Sequence, residues 1–220
     1  MVCPNCNRKI NMEQLVRINN VPLCPFCRKE VAYYQEITYY ADSVAEDLFN
    51  RSLEGVKNDD PQSMFILGTM YDTGSFVDRN LEMAFKYYLM GAKHEHVDCQ
   101  HNVANMYRNG EGVKQDKHLG FFWLKRAADH GFDRSLCVLG DLYMNGVGVD
   151  PDFNKAFECW YKAAKHGHAD SQYNLGMCYY HGVGTKMNNR EAILWLEKAY
   201  SNGIWEAKSI VDYIKRNELH

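Results

Sequence analysis

No stretch of the 220-residue sequence approaches the ~20 consecutive apolar residues that a membrane-spanning helix needs. The chain also lacks any excess of positive charge. Its formal charge is -3 and its pI about 6.3, so no global basic field points to nucleic acid. The first ten residues, MVCPNCNRKI, contain no apolar core of a secretory leader, and the expected setting is therefore a reducing cytoplasm. Phosphate-binding glycine loops are missing as well: the GEG and GVG pairs have no strand before them. No Ser/His/Asp or Cys/His arrangement recurs at meaningful spacing, so the sequence predicts no enzyme.

What is present is a repeat. Hydrophobic residues make up 46% of the chain and aromatics 13%, ample material for a core. Four segments align at a spacing of 36 residues without insertion: SMFILGTMYDTG from Ser63, CQHNVANMYRNGEGV from Cys99, SLCVLGDLYMNGVGV from Ser135 and SQYNLGMCYYHGVGT from Ser171. A second set follows at the same period, with AFKYYLMGAK from Ala84, GFFWLKRAADHG from Gly120, AFECWYKAAKHG from Ala156 and AILWLEKAYSNG from Ala192.

The first segment reads as a short helix, helix A, with one apolar stripe such as Leu175, Gly176, Cys178 and Tyr179. Its central small residue (Gly68, Ala104, Gly140, Gly176) lets a neighbour approach closely. The tyrosine three residues on (Tyr71, Tyr107, Tyr143, Tyr179) is expected to bury its ring and keep its hydroxyl at an edge. Helix A then stops at Gly74, Gly110, Gly146 or Gly182, a left-handed C-terminal position. A second glycine follows at Gly112, Gly148 and Gly184; the first unit has Phe76 there, which predicts a different loop. The second segment reads as helix B, with aromatics and an Ala pair, as in Phe157, Trp160, Ala163 and Ala164. Neither helix pair can bury its stripe alone, so units must stack into a solenoid. Residues 42–58 match a preceding helix B, residues 28–41 a helix that carries a degenerate helix A register, and residues 205–220 a polar capping helix A.

These residues resemble the Sel-1-like repeat family, a relative of the tetratricopeptide repeat. Its pattern stands here as LGMCYYHGVG and AFECWYKAAKHG, over residues 42–220. The resemblance implies an all-α fold, a right-handed α-α superhelix of 36-residue helical hairpins. It further implies that the concave face binds a client protein or peptide, as an adaptor in complex assembly or signalling. Secreted members of the family carry a regular cysteine pair in each repeat, which this chain lacks.

Before the repeats, Cys3, Cys6, Cys24 and Cys27 form C-x2-C-x17-C-x2-C, the spacing of a structural Zn2+ site with two knuckles on one tetrahedral ion. Between them, Leu15-Val16-Arg17-Ile18, Asn19-Asn20 and Val21-Pro22-Leu23 read as a short hairpin. Two disulfides or a redox pair are the alternatives, although a redox CxxC belongs at a strand-to-helix turn, of which there is no sign. The segment resembles a zinc ribbon, and LCPFCRKEV resembles the last knuckle of a RING finger. A RING needs eight ligands, and only four are present. Ubiquitin-ligase-type recruitment and nucleic-acid binding through Arg8, Lys9, Arg17, Arg28 and Lys29 remain open beside a plain docking role. The expected organisation is a zinc module over 1–29, a linker helix and half repeat over 30–60, four repeats over 61–204 and a cap over 205–220.

Helix A positions off the stripe, at -3, +1, +4 and +5 from the small residue, are predicted to face the groove. They nominate Phe65, Thr69 and Asp72; His101, Asn105, Arg108 and Asn109; Asp141, Met144 and Asn145; and Tyr173, Met177, Tyr180 and His181. The alternative is ordinary solvated helix surface. His94, His130 and His166 end successive B helices, where the helix dipole accounts for them better than a metal does. Trp123, Trp160 and Trp195 read as core, as do Cys159 and Cys178.

Overall fold

The computed structural model describes the backbone of residues 16–18, 21–23 and 33–217, and the side chains from Val44 to Asn217. Cys3, Cys6, Cys24 and Cys27, the predicted zinc ligands, lie outside the described residues. The chain divides into two compact units, Met1–Glu54 and Gly55–His220.

In the first unit, β1 (Val16–Ile18) pairs antiparallel with β2 (Val21–Leu23), with Val16 opposite Leu23 and Ile18 opposite Val21. This is the predicted hairpin, with Asn19-Asn20 as the two intervening residues. Helix α1 then runs unbroken over Tyr33–Lys57. The helix expected over residues 28–41 and the helix B expected over 42–58 are one helix in the described part of that stretch, where no glycine or proline stands between Tyr33 and Glu54.

The second unit holds four helical hairpins. Their A helices are α2 (Pro61–Thr73), α4 (Val97–Asn109), α6 (Asp133–Asn145) and α8 (Ala169–His181). Their B helices are α3 (Leu81–Lys93), α5 (Lys117–Asp129), α7 (Phe153–Lys165) and α9 (Asn189–Ser201). Helix α10 (Ala207–Asn217) follows. Each of these helices packs chiefly on its neighbours in sequence, more extensively within a hairpin than between hairpins. That is the contact pattern of a solenoid.

The hairpins are closed by a repeated set of bonds. The A helices end at Gly74, Gly110, Gly146 and Gly182, with left-handed φ of 67 to 77°. Six residues later, Asn80, Asp116, Asp152 and Asn188 cap the B helices. Each side chain accepts from the backbone N–H three residues on, at 2.9 to 3.2 Å. Their own N–H groups donate to the carbonyls of Tyr71, Tyr107, Tyr143 and Tyr179 at 2.8–2.9 Å. The cap thus ties the start of helix B to the end of helix A. Phe76 does not alter its loop as expected: it holds a φ of 73°, the same left-handed conformation as Gly148.

The small residue of helix A receives the partner helix of its own hairpin. A Cβ on Gly68 would meet the Tyr88 ring at 2.5 Å, one on Gly140 the Trp160 indole at 2.5 Å, and one on Gly176 the Leu196 side chain at 2.7 Å. Tyr88, Leu124, Trp160 and Leu196 occupy the same repeat position and are all buried. Burying four such side chains removes roughly 2 kcal/mol each of unfavourable hydration. Trp160 also donates its indole N–H to the Cys137 carbonyl at 3.1 Å.

Between hairpins, an aromatic ladder recurs. Phe85, Phe121 and Phe157 of the B helices meet Tyr107, Tyr143 and Tyr179 of the following A helices, edge to face, at 5.1, 5.4 and 5.3 Å. Such pairs contribute about 0.5–1.5 kcal/mol beyond area burial. Trp123 and Trp195 are buried, as predicted.

Candidate functional site

The A helices carry the candidate surface. Off-stripe side chains of successive A helices meet, from α4 to α6 and from α6 to α8. On α4, His101 Nδ1 lies 2.9 Å from Ser135 Oγ on α6, and Asn105 Nδ2 lies 3.0 Å from His101 Nε2. Arg108 donates to Asn105 Oδ1 at 3.0 Å, which turns the Asn105 amide toward the imidazole. His101 therefore accepts at Nε2 and carries its proton on Nδ1, facing Ser135. Burial, reinforced by the charge of Arg134, lowers the His101 pKa and keeps the ring neutral.

Asp141 on α6 accepts from Asn174 on α8 at 3.4 Å, a long contact. Its pKa is raised, chiefly by burial. Around these residues opens a hollow of about 440 Å³, spanning α4, α6 and α8 and lined by His101, Arg134, Cys137, Asp141, His168 and Asn174 among others. Burial pushes the Cys137 thiol up to about 11, so it is an inert wall and not a nucleophile.

The other predicted groove residues are more occupied. The Thr69 hydroxyl donates to the Phe65 carbonyl at 2.9 Å and accepts from the Tyr88 hydroxyl at 3.2 Å. Asp72 stands 3.5 Å from that same hydroxyl. Phe65 stacks on His96 with centroids 5.1 Å apart. Met144 packs against the main core, while Tyr173, Met177 and Tyr180 pack against the C-terminal one. Tyr180 also lies 4.7 Å from the His181 ring. Asn109 and Asn145 are exposed, and Asn145 donates to the Asp141 carbonyl. The structure thus brings His101, Asn105, Arg108 and Asp141 to one place, and sets Phe65 and Thr69 on an earlier rung and Tyr173, Met177 and Tyr180 beside a later one.

Sequence reasoning missed part of the hollow. Val138 and Asn174 lie at -2 from the small residue, and Arg134 and Asp170 at -6. Positions -6, -2 and +1 follow the i, i+4, i+7 spacing of one helical face, which was available from periodicity. His168 and His96 went unassigned. Each caps its A helix, accepting at Nδ1 from the N–H of Ser171 and Cys99, at 3.3 and 3.4 Å.

The histidines that end the B helices pair with carboxylates. His94 lies 3.9 Å from Asp59, His130 3.3 Å from Glu95 and His166 2.7 Å from Asp133. Asp59 and Glu95 stand where later repeats have Gly131, Gly167 and Gly203, and both hold a left-handed φ, of 56 and 63°. Glu95 also pairs with Arg126 and accepts from Gln100 at 3.0 Å. No group of three or more His, Cys, Asp or Glu side chains among the described residues is arranged to hold a metal.

The Sel1 repeat model matches residues 61–96, 97–132, 134–168 and 169–204, which are the four hairpins. The chain is a Sel1-repeat protein. A Sel1 repeat protein from Oxalobacter formigenes is 32% identical, with a TM-score of 0.71 over 76% of this chain and 48% of that one. The structure of c5321, described as a protective antigen of uropathogenic Escherichia coli strains displaying an SLR fold, is 24% identical, with a TM-score of 0.75 over 78% of this chain and 37% of that one. That second likeness shows the fold alone. The chain spans less than half the length of either Sel1-type structure. Among curated proteins, none matches it in sequence. No helix of the described residues is long and apolar enough to cross a membrane. Sel1-repeat proteins are generally interaction scaffolds.

Proposed function

We propose that this Sel1-repeat protein is a non-enzymatic adaptor that grips an extended client peptide on the concave, A-helix face of its superhelix. The observation that carries this reading is the hollow across α4, α6 and α8, with His101, Asp141 and Asn174 at its lining. Its side chains differ from rung to rung, while the packing positions beneath stay alike. Amide and carboxylate groups there match the N–H and C=O groups of a peptide backbone, and a partly dry site strengthens such bonds. Phe65, Tyr173, Met177 and Tyr180 would take apolar side chains of the same client further along.

The four cysteines of the N-terminal segment support a second part of the proposal. Cys3, Cys6, Cys24 and Cys27 would hold one structural Zn2+, with the β1–β2 hairpin presenting one knuckle to the other. The ion would supply folding stability to a module too small for its own core, and that module would be a second docking site in a cytoplasmic setting.

The test uses peptides selected from a random display library on the full chain. Arg134→Ala combined with Asn174→Ala should weaken the selected peptides roughly tenfold or more, with helicity unchanged by circular dichroism. Unaltered affinity in that variant, or binders that map only to the B helices, would refute the concave-face reading.

A further inference from the structure

The opposite face of the array has a cleft that the client groove does not use. It lies between α5 and α7, over α6, and measures about 650 Å³. Leu136, Leu139 and Tyr143 form part of its floor. Lys125 stands on the α5 wall, and Lys155, Lys162 and Lys165 on the α7 wall. Against these four cations the lining holds two carboxylates, Asp129 and Glu158, with His166 at the rim. This local positive excess sits in a chain whose overall charge is -3.

The fold does not demand these lysines. One repeat away, the position of Lys125 is Leu89 or Tyr161, that of Lys155 is Leu119 or Glu191, and that of Lys165 is Asp129 or Ser201. Lys162 has basic counterparts in Arg126 and Lys198, and Lys165 has one in Lys93, two repeats away. The cations gather at one junction because of local side-chain choice, not because of the stacking stripe. Nor are they consumed by internal pairing. Lys125 reaches Asp129 at 3.2 Å, an exposed pair within α5 that exchanges readily for a partner, and Lys155, itself exposed, reaches the half-buried N-cap Asp152 at 2.9 Å. Lys162 makes no ion pair with another described residue. Lys155 and Lys165 lie 5.4 and 5.6 Å from the ring centroids of Tyr143 and Tyr161, which hold their ammonium groups along the rim.

We propose that the α5–α7 cleft docks an acidic segment of a partner protein, with carboxylates on the four lysines and one apolar side chain on the Leu136–Leu139–Tyr143 floor. Charge complementarity selects the acidic class. The apolar floor selects a peptide over a nucleic-acid backbone, and so do Asp129 and Glu158, which would repel a continuous run of phosphates.

The probe is a fluorescein-labelled peptide of about ten residues, glutamates around a central Leu-Phe pair, titrated against the full chain by anisotropy. Binding is expected at about 50 mM salt and should weaken at least roughly fivefold at about 300 mM. Lys125→Glu with Lys162→Glu should weaken it a further tenfold or so, while Lys86→Glu with Lys186→Glu, the same charge change elsewhere, should leave it within about twofold. An all-glutamate probe without Leu-Phe should bind more weakly. Circular dichroism and thermal melting confirm that both variants fold. No binding at low salt, equal losses in the two variants, or tighter binding of a single-stranded oligonucleotide than of the peptide would each overturn the proposal.

Discussion

Replacing Gly112 by alanine should destabilise the protein clearly more than replacing Gly131, although both glycines hold a left-handed φ, 65 and 78°. The conformational part is common to the two and is about 1–2 kcal/mol for an L-residue. The surroundings differ. A Cβ on Gly112 would stand 2.1 Å from the Leu81 carbonyl oxygen and 2.9 Å from the Glu82 nitrogen, whereas one on Gly131 would meet nothing within 4 Å. The obstacle at Gly112 is backbone in the first turn of α3, so it cannot swing aside as a side chain would. Either α3 shifts or the loop lifts away, and overpacking of this kind costs about 1–3 kcal/mol. Gly131→Ala should therefore lose about 1–2 kcal/mol and Gly112→Ala about 2–5 kcal/mol. Gly148 and Gly184 face the Lys117 and Phe153 carbonyls at 2.2 and 2.1 Å and should behave like Gly112. Urea unfolding of the full chain, followed by helicity at 25 °C, measures the losses. Equal losses at Gly112 and Gly131 would refute the idea that the loop is wedged against the preceding hairpin.

Three further outcomes are expected. Asp116→Ala and Asn188→Ala each remove a helix B cap and should lower stability by about 1 kcal/mol in the same urea assay; no change in either would mean the cap bond is dispensable. Glu95, held by Arg126 first and by Gln100 and His130 besides, has its carboxyl lowered from an ordinary 4.5 to about 2. A depressed folded pKa gives stability that is complete above about 4.5 and drains away as the pH falls toward 2, so Glu95→Gln should flatten the melting temperature in that window; parallel pH curves for the two proteins would contradict this. Mass spectrometry under native conditions should find about one Zn2+ per chain, lost on Cys24→Ser, and a metal-free wild-type chain would remove the zinc module.

The repeat is legible in the sequence because packing there depends on side-chain size at fixed spacing. Gly68, Ala104, Gly140 and Gly176 mark where a partner helix must enter, and Leu, Trp and Tyr mark what enters. Helix ends are equally plain at Gly74 and its equivalents. Other features needed the fold. The phenylalanines at 85, 121 and 157 and the tyrosines at 107, 143 and 179 are each visible as periodic, but their edge-to-face pairing across hairpins is not, since it depends on how one hairpin rests on the next. The role of Glu95 was hidden for a different reason. It breaks the glycine pattern of its position, and only the three-dimensional neighbours Arg126 and His130 explain an acidic residue there. Phe76 shows the reverse: a residue unsuited to left-handed backbone adopts it because the rest of the loop keeps the geometry of its three sister loops. In the candidate groove, helical periodicity placed His101, Asn105, Arg108 and Asp141 together. It did not foresee that Thr69 would spend its hydroxyl on internal bonds, or that Asn174 would join from the next rung.

Contacts concentrated between chain neighbours, with a few reaching from one A helix to the next, make the array insulating. A distortion at one rung is absorbed by the two beside it and does not travel as it would through a shared globular core. Occupants held at well-separated rungs would be blind to each other, and whole 36-residue modules could be added to or removed from the middle, changing the reach of the array without retuning what lies at either end.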